Sequence, residues 1–159
     1  MSEGPERLVT FAAARGVTAM LHPTETVMHT VEAAAEALGI PHDHMTKNLL
    51  FIVDGDPVLF VARGASPVDR RRLARHFGVG RKRVRLASAE QTLEMTGYPI
   101  GCVPPFGHAR PLLTLVEATV LALPRVYGGT SQPETLVSVS PDDFLALTSA
   151  TVLPDDPGG

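Results

Sequence analysis

The chain has 159 residues, 44% hydrophobic and 19% charged, with a formal net charge of −3 and a single cysteine, Cys102. That is the length of one domain with enough apolar residues for a core. It excludes an internal disulfide, which fits a reducing cytoplasm, and the mild acidity argues against a nucleic-acid binder acting over its whole surface. No apolar run approaches membrane-spanning length. Residues 1–7 lack a basic stretch followed by an apolar one, so no secretory signal is read there.

In chain order, residues 5–14 read as a first helix, with Leu8, Phe11 and Ala12 at helical spacing and Gly16 as its stop. Residues 17–21 read as a short strand closed by His22-Pro23, because the residue before proline favours extended backbone. Thr30 is placed as a helix N-cap. Val31, Ala34, Ala35 and Leu38 follow on one stripe, and Gly39 and Pro41 end that helix. Residues 48–53 and 58–62 form a hairpin about the turn Asp54-Gly55-Asp56-Pro57. Ser66-Pro67-Val68-Asp69 has the pattern of a helix start, with Ser66 as the cap, and the helix runs to Phe77 before Gly78. A strand at 84–86 precedes a helix that Ser88 and Gln91 open and Gly97 closes. Strands are expected at 112–116, 125–127 and 135–139, with 120–123 ambiguous. Ser140-Pro141-Asp142-Asp143 opens a last helix through Leu147. One domain is expected over 1–150, with a flexible C-terminal tail at 151–159. Helices and strands mix without strict alternation, so the fold class is α+β (mixed α/β) with a mixed sheet rather than a doubly wound one.

Two stretches stand out. Residues 101–108, Gly-Cys-Val-Pro-Pro-Phe-Gly-His, hold two glycines and two prolines. They form neither a regular helix nor a central strand. A stiff loop follows, whose bare backbone suits an ester, a phosphate or a ribose; a structural connection between helix and strand is the plain alternative. Arg70, Arg71, Arg72, Arg75, Arg81, Lys82, Arg83 and Arg85 crowd into one short segment. Such a local basic face attracts phosphates even on an acidic protein, and is otherwise a solvated helix face.

Thr30-Val31-Glu32-Ala33-Ala34, Thr46-Lys47-Asn48-Leu49-Leu50-Phe51 and the loop at 101–108 share their order and spacing with one family. The chain resembles the YbaK / prolyl-tRNA synthetase editing-domain family, the ProX-type aminoacyl-tRNA deacylases, over roughly residues 8 to 150. Residues 140–145 are similar to that family's last helix. The resemblance implies a mixed, partly barrel-like β-sheet flanked by helices, and hydrolysis of the ester between a wrong amino acid and the 3′ end of tRNA. It implies a lysine needed for activity at Lys47, a loop beside the scissile ester at Gly101, and no metal or other cofactor. Three departures bear on substrate choice. Cys102 stands where many relatives have a second glycine, Glu117 lies near where relatives often have Asp, and the segment from Gly128 to Pro133 is longer than usual.

Lys47 is one of only two lysines. Its stem can be buried with the ammonium at a cleft mouth, on the strand face of Leu49, Phe51 and Val53. There it can hold a terminal phosphate or stabilise charge developing on an ester; an ordinary strand-edge lysine is the alternative. Gly101 has a role if its backbone approaches the ester, through either its N–H or its carbonyl. His22, Thr30, Asn48, Cys102, Pro105, Phe106, Gly107, His108 and Gly129 are the candidate substrate-binding residues. Thr30 is also read as a cap, and His22 and His29 equally as structural histidines. Cys102 as a nucleophile needs thiolate character and a nearby base, and neither is visible in the sequence. His42-Asp43-His44 offers two ligands without a third, which is weak as a metal site. Arg70, Arg71, Arg72, Arg81, Lys82 and Arg83 are the candidate contacts to a tRNA acceptor end. An aminoacyl-tRNA synthetase is a further candidate partner. The alternative to a free-standing editing hydrolase is a non-catalytic module that holds a tRNA 3′ end or a synthetase.

Overall fold

Helix ends are set by the groups they leave unpaired. In the computed structural model, which describes residues 4–64 and 67–154, Thr30 Oγ1 accepts from Ala33 N–H at 3.0 Å and opens α2 (Val31–Leu38). Gly39 closes it at φ 69°. α1 (Glu6–Ala13) precedes it. α4 (Ala89–Thr96) carries a full capping box between Ser88 and Gln91, and α5 (Pro141–Thr148) is opened by Ser140 with a proline in its first turn. α3 (Arg70–Phe77) departs from expectation. Its cap is Asp69, whose carboxylate accepts from Arg71 N–H at 2.9 Å. A carboxylate facing N–H groups with helical partners still missing serves as cap in place of Ser66, a residue outside the described ones.

Five strands form one sheet in the order β4-β2-β3-β5-β8: Val84–Leu86, Thr46–Val53, Asp56–Arg63, Leu113–Glu117 and Thr151–Leu153. β2 and β3 are a tight hairpin. Its two central residues, Asp54 and Gly55, have φ of 49° and 89°, the handedness a two-residue turn needs to match strand twist. β3–β5 and β5–β8 are parallel, and the other pairs in this sheet are antiparallel. The second sheet has the order β1-β7-β6 (Met20–Pro23, Thr135–Val139, Val126–Gly128) and is antiparallel throughout.

Several expectations need correction. β1 begins at Met20 rather than Val17 and includes Pro23, which an edge strand paired on one side tolerates. Residues 118–122 form a 3-10 turn. Thr151–Leu153 is not loose tail but a strand beside β5. Neither sheet closes, so the partly barrel-like sheet is two open sheets facing each other. Leu59, Val61, Phe106, Val116, Val126, Val137 and Phe144 share the core cluster that joins them. On the far side of the larger sheet, Phe51, Phe60, Ala62 and Leu115 meet Leu73 of α3. β3 is therefore covered on both faces, which explains its nearly unbroken apolar run. No helix among the described residues is long and apolar enough to cross a membrane.

Candidate active site

β4 covers only the end of β2, from Phe51 to Val53. One further bond, from Ala87 N–H to Leu50 O at 2.9 Å, ends that pairing. Among the described residues no strand pairs with the first half of β2 on this side, and a cleft of about 200 Å³ lies along it. Thr46, Lys47, Asn48 and Leu49 form one wall. Met28, Thr30, Val31 and Ala34 at the start of α2 form another, and Gly101, Val103, Gly128 and Gly129 supply main chain. Met45 and Leu136 complete an apolar lining.

Lys47 and Gly101 thus border the same cleft although they are far apart in the chain. Burial pushes the Lys47 ammonium below the usual lysine range, while the carboxylates of Glu117 and Glu32 pull the other way. Gly101 has φ 84°, and a Cβ there would meet nothing nearer than His29 O at 3.9 Å. Its glycine is required by backbone handedness, and the space beside it is open.

Gly128 and Gly129 are required for a different reason. A Cβ on Gly129 would stand 2.5 Å from Cys102 Cα, and one on Gly128 2.7 Å from Asn48 Nδ2. Only bare main chain lets β6 approach the 101–108 loop this closely. Asn48 ties the two together: Nδ2 donates to Val103 O at 3.0 Å and Tyr127 O at 3.1 Å. Gly129 N–H also donates to Val103 O, at 3.2 Å. Asn48 Oδ1 is buried without a partner in the described structure. Thr30 both caps α2 and lines the cleft.

The other residues singled out from the sequence lie elsewhere. His22 is outside the lining: its Nε2 pairs with Ser138 Oγ at 2.7 Å and its ring lies 5.5 Å from that of Tyr127. Burial, then Arg125, lowers its pKa. Cys102 is buried beneath Gly129, and burial pushes its thiol up, away from thiolate. Phe106 belongs to the core, and Pro105 packs over Gly128. Gly107 abuts Leu8, and Arg7 Nη1 donates to its carbonyl at 2.8 Å. His108 Nε2 donates to Pro104 O at 2.7 Å, and burial lowers its pKa. Gly107 and His108 border a separate hollow with Phe11 and Arg15. His42–His44 is one 3-10 turn, and no group of three or more metal-binding side chains converges among the described residues.

The basic segment divides. Arg72 is occupied inside the structure, 2.7 Å from Glu117 Oε2 and hydrogen-bonded to the carbonyls of Leu153 and Pro154. Arg71 pairs with its cap Asp69, and Arg83 with Asp54. Arg70, Arg81 and Lys82 are exposed. Arg85 stands opposite Ile52, five residues along β2 from Lys47, or about 17 Å. Sequence reading missed the apolar wall of Met28, Met45 and Leu136. The α2 stripe hinted at Ala34, but nothing in the sequence pointed to Leu136. The whole arrangement is a small pocket with a largely apolar lining, bordered by Lys47 and by a bare bend of main chain at Gly101.

The family model of the aminoacyl-tRNA editing domain matches residues 25–147. A segment of the proline–tRNA ligase of Maridesulfovibrio salexigens is 43% identical over 79 residues, which is 50% of this chain and 13% of that ligase. The uncharacterised protein YwhH of Bacillus subtilis is 30% identical over 129 residues, 80% of each chain. Among solved structures, a candidate trans-editing enzyme for prolyl-tRNA synthetase matches with 29% identity and a TM-score of 0.80, covering 92% of both chains. The hypothetical protein APE2540 matches with 29% identity and a TM-score of 0.84, covering 94% of this chain and 97% of that one.

Proposed function

Because the chain belongs to the aminoacyl-tRNA editing domain (YbaK) family and is homologous to the editing domain of prolyl-tRNA synthetase, we propose that it is a trans-acting deacylase. It hydrolyses the ester that joins a small amino acid, such as alanine, cysteine or serine, to the 3′ end of a tRNA, with tRNA-Pro or a similar tRNA as carrier. The observation that carries this reading is the meeting of Lys47 and Gly101 at one cleft. At about 200 Å³ the cleft suits a small side chain on the apolar floor.

In this reading the Lys47 ammonium holds the terminal phosphate or the charge that develops on the ester oxygen. A backbone group of Gly101 lies beside the scissile carbonyl, where one well-placed donor contributes roughly 3 kcal/mol. An aminoacyl ester is already activated, and the neighbouring ribose hydroxyl can assist water, so positioning does most of what is needed. The buried, un-ionised Cys102 has no part in bond breaking. Exposed residues of the basic segment, Arg70, Arg81 and Lys82 first, contact acceptor-stem phosphates.

The test is release of amino acid from a panel of tRNAs charged with alanine, cysteine, serine and proline, using the wild type and Lys47→Met. Release that discriminates against proline and falls at least a hundredfold in the variant supports the deacylase. Tight tRNA binding without release would instead make the protein a holding module for the tRNA 3′ end or a synthetase. Equal turnover in the variant would remove Lys47 from the chemistry.

A further inference from the structure

β2, β3 and β5 lie side by side, and one row of residues crosses all three. Lys47 faces Ala62 across the β2–β3 pair. Val61 faces Val116 in the parallel β3–β5 pair, so the next place in the row, beyond Ala62, is Glu117. Residues in one row leave the sheet on the same face. The row is two strand spacings wide, about 10 Å between the outer Cα atoms. Its middle place is a methyl group, so no side chain of comparable length stands between lysine and glutamate.

The Glu117 carboxylate is held at both oxygens. Oε1 accepts Arg63 N–H at 2.8 Å, and Oε2 accepts Arg72 Nη1 at 2.7 Å. The Arg72 and Glu117 side chains are only 15% and 21% exposed, so water and salt screen this charge less than a surface one. A glutamine has a single acceptor oxygen, so it keeps one of these two bonds and turns an amide nitrogen towards the other donor. Glutamate alone accepts both, and it alone brings the negative charge.

We propose that Glu117 is a positioning residue for the cleft: clamped by Arg63 and Arg72, its carboxylate reaches across Ala62 and keeps the Lys47 ammonium charged where it borders the cleft. Desolvation works against that charge, and Glu117 is the first of the two carboxylates that oppose it. The second, Glu32, stands in the first turn of α2. Asp43, in the turn before β2, pairs with Arg63 at 3.6 Å, and Arg63 and Arg72 are the two residues that bond Glu117 itself. α2 also carries Glu36, and α3 also carries Arg70, Arg71, Arg75 and His76. His42 and His44 share the turn with Asp43, and His29 borders the cleft. The same clamp joins the helix of the basic segment to the cleft, since Arg72 belongs to α3. The catalytic consequence rests on the editing reading; the electrostatic relationship stands without it.

The chain's two lysines make the test direct. Protein labelled with 13C at lysine Cε shows two lysine signals, assigned by Lys82→Arg and titrated by NMR. Glu117→Gln is expected to move the Lys47 midpoint to lower pH and leave Lys82 in place. The alkaline limb of the deacylation profile, read as kcat, moves down with it. If Glu117→Gln does not fold, the double variant Glu117→Gln/Arg72→Met removes the stranded guanidinium as well and is titrated against Arg72→Met alone, so that the two proteins differ only in the carboxylate. An unchanged Lys47 midpoint overturns the proposal whatever the activity. A shifted midpoint in a protein that releases no amino acid upholds the electrostatic relationship and overturns the editing reading alone.

Discussion

Thr46 Oγ1 bridges the two sheets by bonding both backbone groups of Tyr127. It donates to Tyr127 O at 2.8 Å and accepts from Tyr127 N–H at 2.7 Å. A side chain of β2 thus does for β6 what a neighbouring strand would do, on a residue that also lines the cleft. Thr46→Val keeps the shape but leaves a buried N–H without a partner. A loss of about 2 kcal/mol in urea unfolding is expected, with Thr46→Ser keeping most of the stability. Equal midpoints for wild type and Thr46→Val would show that water replaces the bond.

The two kinds of glycine at the cleft should respond differently to one added methyl group. Gly129→Ala drives a Cβ into the Cys102 main chain, so either the loop or β6 must shift, and a loss of several kcal/mol is expected. Gly101→Ala meets open space but adopts a left-handed φ, at a cost of roughly 1–2 kcal/mol. The expected pattern is a large drop in melting temperature with Gly129→Ala. Gly101→Ala should show a small drop, with deacylation falling because the methyl group occupies the cleft mouth. The reverse order of melting temperatures would contradict this geometry.

Acid should weaken the fold through two histidines. Burial holds the pKa of both His22 and His108 below the ordinary 6.5. The unfolded chain therefore binds more protons than the folded one as pH falls below that value. The stabilising contribution is complete above 6.5 and is lost as pH falls through the folded values. In His22 the added proton would also face the Arg125 guanidinium. Unfolding free energies measured between pH 8 and 5 should decline, and the decline should flatten in His22→Gln/His108→Gln. The amide that His108→Gln introduces can still donate to Pro104 O. An undiminished slope in the double variant would assign the pH dependence to other groups.

The basic segment should separate into two classes. Arg81→Ala/Lys82→Ala should weaken tRNA binding and lower the slope of log affinity against log salt by about one per lost phosphate contact, with the melting temperature unchanged. Arg72→Ala should do the opposite: it leaves Glu117 partly buried without its cation, which lowers stability. If the Arg81/Lys82 variant binds tRNA with the wild-type salt dependence, the acceptor stem does not lie on that face.

Much of the local structure is legible in the sequence. Thr30, Ser88 and Ser140 cap helices where their spacing placed them, and Asp54-Gly55 makes the hairpin turn. These features rest on contacts within about four residues, so the local sequence contains both partners. The same holds for the 101–108 stretch, whose prolines and glycines exclude helix and strand wherever it lies. The motifs around Lys47 and Gly101 were likewise readable as family signatures.

Only the tertiary structure decided what those signatures face. Phe106 turns into the core and His108 borders a second hollow, His22 pairs with Ser138 and Cys102 is buried against Gly129, while Leu136 of β7 enters the cleft unannounced. Arg72 looks like its neighbours in a run of arginines, yet it alone is taken up by Glu117, 45 residues away. Gly128 and Gly129 are indispensable because of chain segments more than 20 residues distant. Burial, crowding and charge pairing depend on where distant stretches come to rest. Sequence spacing sets which groups are available on each element, and packing selects which of them meet.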